Sequence, residues 1–345
     1  MTNKPLFSPD GPVFIVAEMS ANHGHDFDRA VAIIRAAAEA GADAVKIQTY
    51  TPDTITIDCA NEYFRIKGTI WEGRTLHDLY GEAYTPWEWQ PKLKAEAEKL
   101  GLTFFSTPFD PTAVDFLEEM NVPCHKIASF ELVDLPLIRK VAATGKPVIM
   151  STGMATEAEV QEAVEAFHDG GGTELALLKC TSAYPAPPEE MNLLTIPYLA
   201  EKFGVTAGLS DHTTGIEMPI AAVAIGARII EKHFCISRAE GGPDASFSLE
   251  PAEFKAMVEG VRRTEQALGK VNFTLTDKQQ ASAVFRRSLF VVADMHEGEP
   301  FTAENVRSIR PGHGLHTRHL SEVLGKKATR DITKGTPLDW ELIAG

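Results

Sequence analysis

The sequence predicts an α/β protein in which a (β/α)8 barrel is followed by a small C-terminal domain. Three observations lead there. Short apolar runs alternate with helical segments eight times before residue 269, no Gly-rich dinucleotide fingerprint follows the first strand, and an internal repeat begins only after the alternation stops. Eight βα units close into a barrel, whereas an open doubly wound sheet would carry its glycine-rich turn directly after strand one. The 345 residues suit one barrel of about 250 residues plus an appendage.

Residues 13–17 form a continuous apolar run, the pattern of a parallel strand buried on both faces, and the run ends at Glu18. An Ala-rich helix follows over 28–40, closed by Gly41, and then a strand over 44–48. Residues 49–84 hold aromatic and polar side chains with little period and predict no regular element. Pro86 opens a helix to residue 100, closed by Gly101. The remaining strands are predicted at 102–105, 125–128, 147–150, 175–178, 205–209 and 228–230. Their helices are predicted at 111–120, 135–143, 157–168, 192–203, 217–227 and 251–268. Residues 269–284 lack apolar period and read as a linker between a barrel over 1–268 and a small domain over 285–345. Within the latter, Asp294, Gly298, Pro300, Phe301, Glu304 and Val306 recur at identical spacing as Asp331, Gly335, Pro337, Leu338, Glu341 and Ile343. Two copies are too few for a solenoid and predict a pseudo-twofold unit.

With 44% hydrophobic and 23% charged residues, the chain has the balance of a soluble globular protein with an ample core. No run approaches the roughly 20 apolar residues that span a bilayer. Residues 1–10 lack the basic and then apolar segments of a signal peptide. Cys59, Cys124, Cys180 and Cys235 show no C-x-x-C pairing, and a reduced, cytoplasmic setting is expected. A net charge of −15 argues against nucleic acid or an anionic membrane as partner. The excess lies early: 9 Lys+Arg face 8 Asp+Glu from Arg286 onward, leaving 24 against 40 before it. Such an acidic body binds an anion only through a few focused cations.

Function in this fold sits at the C-terminal ends of the strands. Those positions hold Glu18, Lys46 and Gln48, Ser106 and Thr107, Lys126 with Ser129 and Glu131, Ser151 and Thr152, Lys179 with Thr181, Ser210 with His212, and Glu231 with His233. His212 and His233 close consecutive strands of one strand–helix–strand unit, which sets them side by side; they are either a two-histidine site for a divalent cation or two unrelated polar residues at strand ends. Lys46, Lys126 and Lys179 are costly to bury without partners, so the ring predicts a site for a small phosphorylated anion. Arg310 lies in a turn-rich loop between the two repeat copies. It is either an ordinary surface arginine or a fork for a substrate carboxylate or hydroxyl.

Together these stretches resemble the sialic acid synthase family, which condenses phosphoenolpyruvate with an amino sugar. The matching segments are 17–23, 45–49, 105–109, 126–129, 151–154, 208–212 and 231–234, so the resemblance covers nearly the whole chain. A finer similarity, to the pseudaminic acid branch, rests on Trp71-Glu72-Gly73 and on residues 82–89 and 246–251. Phe130 and Ser182 stand where the N-acetylneuraminic acid branch has glycine and asparagine. The resemblance implies a TIM barrel with an antifreeze-like (SAF) domain and a domain-swapped homodimer. It implies a divalent ion (Mn2+, Mg2+ or Co2+) on His212 and His233. Lys46, Thr107, Lys126, Ser129, Ser151 and Ser210 then match phosphoenolpyruvate contacts, and Gln48, Glu131, Tyr184 and Asp244 match sugar contacts. Glu18 matches a carboxylate near the reacting carbons and is the expected water-activating group, with Glu131 as its rival. Arg310 matches an arginine delivered to the barrel of the other subunit. The sibling N-acetylneuraminic or legionaminic acid synthases, or a sugar-binding protein without catalysis, are the competing readings.

Overall fold

The structure is a computed structural model, and it describes residues 6–7, 11–69 and 71–345; most of the segment expected to lack a signal peptide lies outside these. Two compact units are present, the first ending at Gly269 and the second beginning at Lys270.

The first unit is a closed barrel of eight parallel strands in sequential order. Its first half runs β1 (Phe14–Glu18), α1 (Phe27–Glu39), β2 (Ala44–Thr49), α2 (Pro52–Ile55), α3 (Leu76–Ala83), α4 (Gln90–Lys99), β3 (Thr103–Pro108), α5 (Pro111–Glu119) and β4 (His125–Ile127). The second half runs α6 (Leu135–Ala142), β5 (Val148–Ser151), α7 (Glu157–Asp169), β6 (Leu175–Cys180), α8 (Thr195–Phe203), β7 (Thr206–Asp211), α9 (Glu217–Ala224), β8 (Ile229–His233) and α10 (Pro251–Leu268). Local chemistry starts these helices: Asp26 accepts from Arg29 N, Asp110 from Ala113 N, and Thr156 and Glu159 form a capping box.

The barrel interior is filled by alternate strand residues, including Phe14, Val16, Phe105, Ile149, Leu178 and Ile229. Phe7 packs edge-on against Phe14 at 5.6 Å and closes the N-terminal end. Gly208 has no room for a side chain, because a Cβ there would lie 2.3 Å from the Ile229 carbonyl oxygen. The predicted eightfold alternation is borne out, with shifted ends. Strands β3, β6, β7 and β8 run two or three residues past their predicted ends, because polar residues at the rim still pair in the ladder, as in Gln48 with Thr107 and Ser210 with Glu231. The helix expected from Pro86 begins as a 3₁₀ turn at Trp87–Trp89 before α4. Residues 49–84, expected to be irregular, contain α2 and α3.

The second unit holds α11 (Asp277–Ser282), β9 (Ser288–Val291), β10 (Val306–Ile309) and α12 (Leu320–Val323). The stretch expected to be a plain linker thus carries a helix, started by a Thr276–Gln279 capping box. The repeat copies exchange bonds reciprocally. Met295 N donates to Ile332 O at 2.8 Å and Ile332 N returns a bond to Met295 O at 2.9 Å. Glu297 N donates to Asp331 at 2.8 Å and Lys334 N to Asp294 at 2.7 Å. Between the copies, Gly312 N bonds Val284 O, Ser288 Oγ bonds Pro311 O, and Gly314 N bonds Ser288 Oγ. A Cβ on Gly314 would meet Leu289 O at 2.0 Å, so that close approach requires glycine.

Candidate active site

A cavity of about 470 Å³ opens at the C-terminal ends of the strands. It gathers Glu18, Lys46, Gln48, Thr107, Lys126, Ser129, Glu131, Ser151, Tyr184, Ser210, His212, His233 and Asp244. Arg310 is exposed and belongs to the second unit. Four members of the expected ring do not line the cavity. Lys179 points out of phase and donates to Cys180 O and Thr181 Oγ1, so the mouth holds two lysines where three were expected. Ser106 is spent on Thr49 Oγ1 and Ile47 O, Thr152 on Leu178 O, and Thr181 on Glu190 O. The cause is strand parity: neighbours along a strand face opposite sides.

At the floor, Lys46 Nζ lies 2.7 Å from Glu18 Oε2 and 3.8 Å from Glu231 Oε1. Lys126 Nζ lies 3.7 Å from Glu231 Oε1 and donates to Ser151 Oγ at 2.7 Å. Ser210 Oγ donates to Glu231 Oε1 at 3.0 Å. Burial would neutralise all four charged groups, and the outcome depends on partners. Burial pulls Lys46 down, but Glu18 and Glu231 outweigh it and hold the amine above its usual range. Lys126 has only Glu231 close by, and burial presses it below. Glu231 is held low because Lys126 and Lys46 outweigh its burial, whereas burial leaves Glu18 raised despite Lys46. Glu131 is pushed up to about 7 by burial, and its Oε2 has no hydrogen-bond partner.

One wall is polar. Gln48 Nε2 donates to Glu18 Oε1 at 3.0 Å and to Ser20 Oγ at 2.9 Å, and Ser20 Oγ donates to Asp244 Oδ2 at 2.5 Å. Ser20 adopts a left-handed φ of 45°, a conformation that costs a non-glycine residue energy, and here it ties β1 to the loop bearing Asp244. Another part of the wall is apolar, drawn largely from residues 50–84, with Tyr50, Ile55, Ile66, Trp71, Leu76 and Tyr80 among its lining. Trp71 Nε1 donates to Pro243 O at 3.3 Å, and its ring sits 5.8 Å from Tyr184.

The two imidazoles lie together with ring centroids 5.2 Å apart. His212 Nδ1 is 3.1 Å from the Thr181 carbonyl, which can only accept, so the hydrogen sits there and Nε2 keeps its lone pair in the neutral ring. His233 is held well below its usual value by burial and by the His212 charge, and its buried Nδ1 has no hydrogen-bond partner. Burial pulls His212 down, but Cys180 and the Thr181 carbonyl outweigh it and hold that ring above its usual value. Once His212 gives up its proton, its Nε2 and the orphaned Nδ1 of His233 make a donor pair that fits a divalent cation. Among the described residues no cluster of three or more His, Cys, Asp or Glu is placed to hold a metal ion. Tyr184 packs 4.6 Å from His212, and Phe247 packs 4.9 Å from His233.

Sequence reasoning placed Glu231 in the ring without giving it a role, although it joins both lysines. Ser20 and the aromatic wall were missed; only the aromatic richness of residues 49–84 hinted at the latter.

Comparison with known proteins fits this geometry. The SAF domain model matches residues 286–344. The pseudaminic acid synthase of Campylobacter jejuni is 47% identical over 332 residues, covering 96% of this chain and 97% of that protein. That of Helicobacter pylori is 44% identical over 328 residues, covering 95% and 96%. The crystal structure of N-acetylneuraminic acid synthetase from Leptospira borgpetersenii, in complex with citrate, superposes with a TM-score of 0.70 at 34% identity, covering 79% of this chain and 90% of that one. With the NeuB family model matching residues 33–273, the greater part of the barrel, the chain belongs to the NeuB family.

Proposed function

We propose that this protein condenses phosphoenolpyruvate with 2,4-diacetamido-2,4,6-trideoxy-β-L-altropyranose to give pseudaminic acid and inorganic phosphate. The observation that carries the reading is one cavity with a two-lysine floor beside a pair of imidazoles and an apolar wall. The identity to named pseudaminic acid synthases supports the choice of sugar. Phe130 also lines the cavity, and its bulk separates this rim from one built around glycine.

Lys46 and Lys126 offset the carboxylate and phosphate charges, while Thr107, Ser129, Ser151 and Ser210 donate hydrogen bonds. An arriving anion returns to Lys126 the partner that burial denies it, so substrate binding favours its charged form. Gln48, Tyr184 and Asp244 hold the open-chain sugar, and the apolar wall takes its methyl groups. When bound by His212 and His233, the divalent ion supplies Lewis acidity toward the sugar aldehyde. The enol carbon forms a bond to the aldehyde carbon, water adds to the resulting oxocarbenium carbon, and the C–O bond to phosphate breaks to leave a 2-keto acid. Glu131 is the better group to take the proton of that water. It has a free oxygen and titrates near neutrality, while Glu18 is engaged by Lys46 and Gln48.

We further assign Arg310 to the sugar of a neighbouring subunit in a domain-swapped homodimer. Supporting this, the first residues of the second unit expose Val271 at 91% and Phe273 at 95%, apolar side chains suited to contact with another chain. A cytoplasmic setting accords with four free cysteines; no helix among the described residues is long and apolar enough to cross a membrane.

The test is mass spectrometry of the product from phosphoenolpyruvate and the diacetamido-trideoxy-altropyranose. A nine-carbon keto acid formed with one phosphate per turnover is expected. Turnover only with N-acetylmannosamine, or with the legionaminic acid precursor, would overturn the sugar assignment; phosphate release without any sugar would overturn the class.

A further inference from the structure

Asp211 and Lys232 are an ion pair on the outer face of the barrel, away from the cavity. Lys232 Nζ lies 2.6 Å from Asp211 Oδ2, and both side chains are fully buried. They are register partners on β7 and β8, and each directly precedes one of the two histidines. Barrel strands normally bury apolar residues beneath the helices here. Two buried charges are an expensive alternative, and a well-packed apolar pair often serves stability as well or better. Stability alone therefore does not account for them.

What an apolar pair lacks is reach. Asp211 Oδ1 accepts from Thr213 N at 3.0 Å, and Oδ2 accepts from Thr213 Oγ1 at 3.1 Å. Lys232 Nζ also donates to Thr213 O. The residues on both sides of His212 are thus tied to the residue beside His233, and the turn that follows β7 is anchored to β8. His212 has a second anchor in the Thr181 carbonyl, but the Nδ1 of His233 has no hydrogen bond, so that imidazole depends on its backbone and on the Phe247 ring. We propose that the Asp211–Lys232 pair, with Thr213, is a positioning brace that sets the separation of the two imidazoles and hence their affinity for a divalent cation. This rests on the reading of His212 and His233 as the cation's ligands.

The test compares the wild-type chain, Lys232→Met and the double variant Asp211→Leu/Lys232→Met, with no substrate present. Manganese binding is read by titration calorimetry and by the paramagnetic resonance of bound ion, and stability by thermal melting. Lys232→Met leaves a buried carboxylate unpaired and should melt far below wild type. The double variant should recover most of that loss, yet bind manganese at least about tenfold more weakly, the usual scale for losing an outer partner of a metal site. Should the double variant fail to fold, Thr213→Val keeps the ion pair and removes only the hydroxyl bond. It should weaken manganese binding by about threefold. A stable double variant with unchanged manganese affinity overturns the brace while leaving the metal reading intact. Affinity that merely tracks melting temperature across the variants also overturns it, since that marks a structural pair. Wild-type protein that binds no manganese overturns the metal reading, and the brace with it.

Discussion

Replacing Glu131 by Gln probes the proposed proton acceptor and the burial that tunes it. The carboxyl is raised from 4.5 to about 7 chiefly by burial. At about 1.4 kcal/mol per pH unit, ionising it in the folded protein costs about 3 kcal/mol. Part of the side chain remains exposed, which makes that figure a ceiling. The folded-state value lies above the unfolded one, so Glu131 favours folding fully below pH 4.5 and that contribution is lost as pH rises to about 7. Thermal stability of wild type should therefore fall relative to Glu131→Gln by up to about 3 kcal/mol across this window, every other group titrating alike in both. In kinetics the sign is opposite, because the base must be ionised: kcat/KM of wild type should rise with pH and level off above about 7. Glu131→Gln should lower kcat/KM by about 10²- to 10⁴-fold and abolish that limb. A variant that keeps a limb with its midpoint near 7 would refute the assignment, as would a wild type whose stability gap to the variant does not change with pH.

Four other perturbations follow. Glu231→Gln should weaken phosphoenolpyruvate use and lower the melting temperature, since unpairing buried charges costs about 3–5 kcal/mol; steady-state kinetics and melting check both. Gly208→Ala should destabilise the barrel by at least about 1–3 kcal/mol through the clash with Ile229 O, read by denaturant unfolding. His212→Ala should abolish metal-dependent turnover while the circular dichroism stays native, and full wild-type activity in the presence of a chelator would remove the metal from the mechanism. Arg310→Ala should raise KM for the sugar with little change in melting temperature, and unchanged kinetics would mean that Arg310 does not reach substrate.

Much of the barrel was legible because parallel strands are bare apolar runs and several helices stop at glycines such as Gly41 and Gly101. The same uniformity hid the phase. A strand buried on both faces shows no alternation, so nothing in the sequence told Lys179, which points outward, from Lys46 and Lys126, which point in. Lysines and histidines at strand ends revealed the polar half of the cavity. Its apolar half comes from α2, α3 and their connections, short elements with no period to find. The helix at Asp277–Ser282 was readable in principle from Thr276 and Gln279, a cap signal overlooked within a polar stretch. Asp211 and Lys232 stood in the very segments that first suggested the site, but their pairing depends on register between strands.

The reciprocal bonds of the C-terminal unit leave neither repeat able to stand alone, since each completes its backbone only on the other. Truncating one copy would unravel both, so the unit is gained or lost whole. The tip carrying Arg310 inherits its stiffness from that mutual lock, through Ser288 before it and Leu338 after it. A long, positively charged side chain is thereby offered from a rigid mount with scarcely any helix or sheet behind it.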